Sequence, residues 1–283
     1  LRDAGGAWLT IAGLDLAWRP WALLGGTLEV DSLVLSQVAL VRLPAAPAQP
    51  PDTVDSDGGS LPQLPVKVRV GRLAADEIAL GEAVLGQAAR FTLAGVAGSR
   101  EDGSFGVGID LERLDGAEAR LRAKLGYDPA ADALTAEIDA AEAPGGLLAT
   151  LLDIPDLPRA EMKLDGAGPL RDWKGDFALS LGEVAQAEAA IGLQRGTDGA
   201  LGFSLRGQTA ISPPPQSDLW ALAAGETALT LEGVWQDARR LDLAELTVAN
   251  DRLRLGARGT VEPESGALDV TLNLAMDQGD ALA

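Results

Sequence analysis

The sequence predicts an all-β fold, an elongated, curved, mostly antiparallel sheet with a few short helices. Three observations carry this. Apolar and polar residues alternate with period two along many short stretches, the pattern of strands with one dry and one wet face. Gly makes up 34 of 283 residues, about 12% against a usual ~7%. Polar turns of a recurring form separate the alternating stretches. Alternation favours antiparallel pairing, because parallel strands packed between helices read as unbroken apolar runs.

Taken in order, residues 1–43 form an N-terminal β unit with a short helix. There Pro20 precedes Trp-Ala-Leu-Leu and Gly25-Gly26 follows, with Pro at the start and Gly past the end. Residues 44–65 hold six Pro, three Asp and a Gly-Gly pair, and read as a linker or an inserted loop. From residue 66 to 283 the chain is one repetitive β array, open to being continuous with residues 1–43. Val66, Val68 and Val70 alternate with Lys67 and Arg69, and Glu101-Asp102-Gly103-Ser104 marks a hairpin. Phe105, Val107, Ile109 and Leu111 then alternate with Gly106, Gly108, Asp110 and Glu112.

Segments 121–140 and 253–274 look like two copies of one hairpin, each with a polar turn ending in Ala-Leu. Thr197–Leu201 is a shorter version. Gly145–Asp153 and Ser217–Ala224 are the two other candidate helices, too short to stand alone in water. Ile211–Gln216, with Pro213-Pro214-Pro215, is a stiff connector. Leu268, Val270, Leu272, Leu274 and Met276 form the last apolar face. About sixteen to eighteen strands result, which would extend about 75 Å if set side by side. With 4% aromatics, an open trough suits the sequence better than a thick sandwich.

Composition narrows the chemistry. The chain has no His and no Cys. It therefore offers no Ser-His-Asp triad, no thiol nucleophile, no disulfide and no His/Cys zinc site. The formal charge of −19 opposes nucleic acid, whose affinity comes from Lys and Arg on phosphates. No catalytic residue, cofactor or metal is expected. The 42 Asp and Glu fall mostly on wet faces and turns, where they read as solubility and edge protection. No stretch of about 18 apolar residues spans a bilayer, and no signal peptide opens the chain.

Specific runs carry a resemblance. The stretch from Trp8 to Leu33, with Asp15-Leu-Ala-Trp18-Arg19-Pro20 inside it, is one. Pro65–Glu82 is a second. Ala143–Leu152 is a third, followed by Leu164–Trp173 with its Gly166-Ala-Gly168-Pro-Leu170-Arg-Asp172-Trp173 run. In order and over most of the length, these resemble the N-terminal region of the TamB family, translocation and assembly module subunits within the AsmA-like, bridge-like lipid-transfer superfamily. The resemblance implies a curled β-taco with an apolar groove that carries phospholipid between inner and outer membranes across the Gram-negative periplasm. It also implies a longer parent protein anchored in the inner membrane. Contact with an outer-membrane barrel would then pass only through parts of that parent missing here.

The partners expected on this reading are phospholipid acyl chains. The candidate groove residues are Val66, Val68, Val70, Phe105, Val107, Ile109, Leu134, Ile138, Phe177, Leu179, Leu201, Phe203, Leu205, Leu229, Leu231, Leu268, Val270, Leu272 and Leu274. On pattern alone, the same side chains read first as the filling of a closed core, and it is the resemblance that turns the reading to a groove. The alternative function is a scaffold for outer-membrane protein (autotransporter) assembly, pairing client strands at a sheet edge without conducting lipid.

Overall fold

In the computed structural model, residues 1–3, 6–44, 67–100, 102–151, 158–197, 199–212, 224–236, 240–262 and 267–276 are described. The chain is all-β. Two short strands, β1 (Arg2–Asp3) and β2 (Gly6–Ala7), pair with each other, and fifteen strands form one sheet. These are β3 (Leu9–Arg19), β4 (Thr27–Leu40), β5 (Lys67–Leu80), β6 (Ala89–Ser99), β7 (Phe105–Arg113), β8 (Ala119–Asp128), β9 (Ala133–Glu142) and β10 (Ala160–Pro169), then β11 (Trp173–Leu181), β12 (Ala185–Arg195), β13 (Leu201–Ile211), β14 (Gly225–Gln236), β15 (Arg240–Ala249), β16 (Leu253–Glu262) and β17 (Ala267–Met276). They stand side by side in chain order, and the order is open, with β3 and β17 at its ends.

Sequential order follows from the turns. At residues 100–104 the Arg100 N–H donates to the Ser104 carbonyl (2.8 Å), while Asp102 accepts the Ser104 N–H (2.9 Å). The Gly196 N–H donates to the Ala200 carbonyl at 2.8 Å and closes the β12–β13 hairpin. Tight loops of this kind join antiparallel neighbours. One pair departs from the antiparallel expectation: β4 and β5 run parallel, Val30 facing Val70 and Leu40 facing Leu80. Parallel neighbours need a return connection of a dozen residues or more. The segment between β4 and β5 is long enough for this; its residues 45–66 lie outside the described structure, and so do most of the Pro-rich stretch and Val66.

The turn at Pro20–Gly25 is a 3₁₀ helix, closed by Gly26 in the left-handed region. The second expected helix is α2 (Leu147–Leu151). The third, Ser217–Ala224, and the Ile211–Gln216 connector fall outside the described residues apart from Ala224 and residues 211–212. The single-turn helix α1 (Glu82–Leu85), closed by a bond from the Gly86 N–H to the Glu82 carbonyl (2.8 Å), was not expected. Four residues carry too little periodicity to announce it.

The described residues fall into two compact units. The first takes those up to Ala131 and Thr135–Glu161, the second Asp132–Leu134 and those from Met162 onward. In the first, Phe91 is buried, and a polar chain links strand ends. Gln37 donates to Glu77 (2.8 Å), Glu77 pairs with Arg90 (3.5 Å), and Asp115 accepts from the Arg90 N–H (3.1 Å) and from Arg113 Nε (3.2 Å). Arg113, its side chain 5% exposed, lies 3.9 Å from Glu142, whose carboxylate accepts the Leu147 and Leu148 N–H groups opening α2.

Burial pushes the Asp115 carboxyl up, but the bonds from Arg90 and Arg113 outweigh it and hold it below the ordinary carboxylate range. A depressed native pKa stabilises the fold above the unfolded value of about 3.9, and the stabilisation is lost as pH falls through the native value. The urea midpoint should therefore drop between about pH 5 and pH 3. In Asp115→Asn the midpoint should be lower at neutral pH and that drop smaller.

In the second unit the Gly166–Trp173 run makes a corner. Trp173 is 3% exposed and its indole Nε1 donates to the Leu134 carbonyl at 2.9 Å. Leu170, also buried, donates its N–H to the Asp132 carbonyl (2.7 Å), and Asp132 pairs with Arg195 at 2.8 Å.

Candidate functional site

Strand register turns the alternation into a continuous surface. In the second unit, Gly175, Ile191, Leu205, Leu231, Leu246, Ala257 and Leu272 face one another in a row across β11–β17. Trp173, Leu193, Phe203, Gly233, Leu243, Gly259 and Val270 form the next row. Phe177, Leu229 and Leu274 share a third, and Leu201 stands in line with Leu268. Leu179 is two residues from Phe177 and so on the same side. Across these seven strands, the one charged residue on this face is Arg195, at the end of β12 and paired with Asp132.

The first unit repeats the arrangement. Trp18, Val30, Val70, Ala97, Val107 and Leu125 form a row over β3–β8, and Leu16, Leu33, Leu73, Gly95, Ile109 and Ala123 form the neighbouring one. Val68 faces Leu28, and Phe105 faces Tyr127. On β9, Leu134 of the second unit and Ile138 of the first alternate with Thr135 and Glu137, and Glu137 pairs with Lys124 (2.9 Å) on the polar side.

The apolar side chains on these faces are not packed into a filled interior. Of the eighteen described candidates, Leu268, Leu272 and Leu274 are exposed and the other fifteen half-buried. Among the described residues, ten apolar side chains are fully buried, and six of those are alanines. A closed core of a chain this size would hide its Leu and Val. Here the large ones shield one another sideways, with Leu272 67% exposed at the β17 edge and Leu14 63% exposed on β3.

The opposite face is polar. Arg122 pairs with Asp110 (3.0 Å), Arg69 with Glu29 (3.6 Å), and Arg206 with Glu232. Glu137 holds the Lys124 ammonium above its ordinary range through their hydrogen bond. Exposed pairs of this kind are each worth about 0–1 kcal/mol; their effect is to keep one face wet. A hollow of about 680 Å³ on this side has Ala178 and Ala190 beneath Lys163, Asp176, Glu188 and Arg206. It mixes both charge signs and has no preferred ligand charge. No group of three or more metal-ligating side chains occurs among the described residues.

Several residues of the apolar face escaped the sequence reading, among them Leu33, Leu243 and Leu246. Bulges account for this. The ladder slips between Ala17 and Trp18 and between Leu243 and Leu246, and each slip shifts the phase of the alternation. No protein-family model, no curated protein and no solved structure matches this chain.

Proposed function

We propose that this chain is a segment of an apolar groove that carries phospholipid between the inner and outer membranes of a Gram-negative bacterium, in the periplasm, within a parent protein of the TamB family anchored in the inner membrane. The observation that carries the reading is the half-exposed apolar face, uninterrupted by charge over β11–β17 apart from Arg195 at one end. Transfer without chemistry needs such a surface. An acyl chain of about twelve methylenes leaving a bilayer for water loses about 10 kcal/mol, at about 0.8 kcal/mol per CH₂. A groove as apolar as the bilayer returns that energy at every step, and a face without strong polar partners does not trap a headgroup. On this reading the chain has no catalytic residue and no cofactor.

Photo-crosslinking amino acids at Phe203, Leu205 and Val270 in the chain produced in cells should capture phospholipid, identified by lipid mass spectrometry. The same probe at Thr230 on the polar face should not. Failure at all three apolar positions overturns the reading. The second reading is a scaffold that pairs client strands, favoured by the open edges of β3 and β17. Crosslinks from the β17 backbone edge to polypeptide, with none to lipid, would select it.

A further inference from the structure

The turn between β3 and β4 is the most exposed large-apolar feature of the first unit. We propose that it is a membrane-contact element, which seats Trp21 and Leu24 in the interfacial layer of a lipid bilayer. Trp21 is 80% exposed and Leu24 83%, with Trp18 and Leu23 beside them at 41% each. Side chains this size are seldom left in water in a group, and an indole next to leucine suits the layer between headgroups and acyl chains. The turn is rigid. Pro20 sets its first residue, and Gly26, at φ 73°, closes it with its N–H on the Leu23 carbonyl at 3.0 Å. Insertion therefore orders little that is not already ordered.

Charge around the turn differs from the rest of the chain. Residues 18–28 contain Arg19 and no acid, within a chain of net charge −19. Lys67 is exposed and held against the turn by its N–H on the Gly26 carbonyl (2.9 Å). Glu29 and Asp31, the first acids after the turn, are engaged by Arg19 (3.6 and 3.0 Å), and Glu29 also by Arg69 at 3.6 Å. Cations flanking an apolar tip complement the lipid phosphates above the layer that would receive the indole.

This inference is independent of the groove. Flotation of the 283-residue chain with phosphatidylcholine vesicles at physiological salt tests it. The wild type should float with the vesicles, and its tryptophan emission should be quenched when the acyl chains are brominated. The double variant Trp21→Ser, Leu24→Ser should lower the vesicle-bound fraction about tenfold or more. Both sites are solvent-exposed, so circular dichroism should be unchanged. Thr230→Asp, on the polar face of β14, should float like the wild type. Trp21→Phe should still bind, with weaker quenching. A wild type that does not float, or a double variant that floats as well as the wild type, overturns the proposal. So would self-association that the double variant abolishes while vesicle binding is absent in both, which would assign the turn to a second copy of the chain.

Discussion

Trp173→Ala should lower the unfolding free energy by about 3–5 kcal/mol, the range for emptying a well-packed aromatic site. The indole is buried, and its Nε1 proton goes to the Leu134 carbonyl at 2.9 Å. Its ring lies on two glycines. A Cβ on Gly166 would stand 2.2 Å from Cζ2, and one on Gly175 2.6 Å from Cη2. With the ring gone, neither glycine has a side chain to collapse into the space, and the Leu134 carbonyl loses its donor. The companion change Gly166→Ala should also destabilise, by about 1–3 kcal/mol, because the ring must move off its place. Urea midpoints followed by circular dichroism check both. A loss under 1 kcal/mol for Trp173→Ala would show that the corner does not hold the second unit together.

Leu272→Asp should abolish lipid capture at a Val270 photo-crosslinker while leaving stability nearly unchanged. Leu272 is 67% exposed, so the substitution removes little packing, and surface changes of this kind stay within about 0.5 kcal/mol. Its carboxylate, however, would stand in the row that runs from Gly175 to Leu272. An acyl chain passing that point must either desolvate the charge or leave the surface, and an unpaired charge costs several kcal/mol to bury. Capture should fall at least about tenfold. The scaffold reading expects otherwise, since strand pairing uses backbone N–H and C=O groups that the substitution leaves in place. Undiminished lipid capture in Leu272→Asp would remove the groove reading.

Much of this protein is written locally. The fold class, the hairpins and the Pro20 turn followed from alternation, from Gly-bearing turns and from Pro-to-Gly spacing. Each of these acts over ten residues or fewer. The candidate groove residues were chosen by the same alternation. Apart from Leu134 and Ile138 on β9, the register sets the described ones in rows across the sheet, because directly paired residues project from the same face.

What tertiary structure decided lies beyond that range. The parallel pairing of β4 with β5 joins residues 40 apart, such as Val30 and Val70, and nothing in either strand's pattern distinguishes it from an antiparallel pair. The Gly166–Trp173 run read as a family-like signature. Its physical meaning, an indole seated on two glycines and tied to Leu134, appears only when β9, β10 and β11 are in place. The polar chain from Gln37 to Glu142 likewise draws on five strands, and the bulges that hid Leu243 and Leu246 are properties of a pair, not of one strand. The sequence by itself determined which side is dry in the strands whose alternation is unbroken. Which strands stand together, and hence that the dry sides form a half-exposed surface without a filled core, depended on pairings whose partners are distant in the chain.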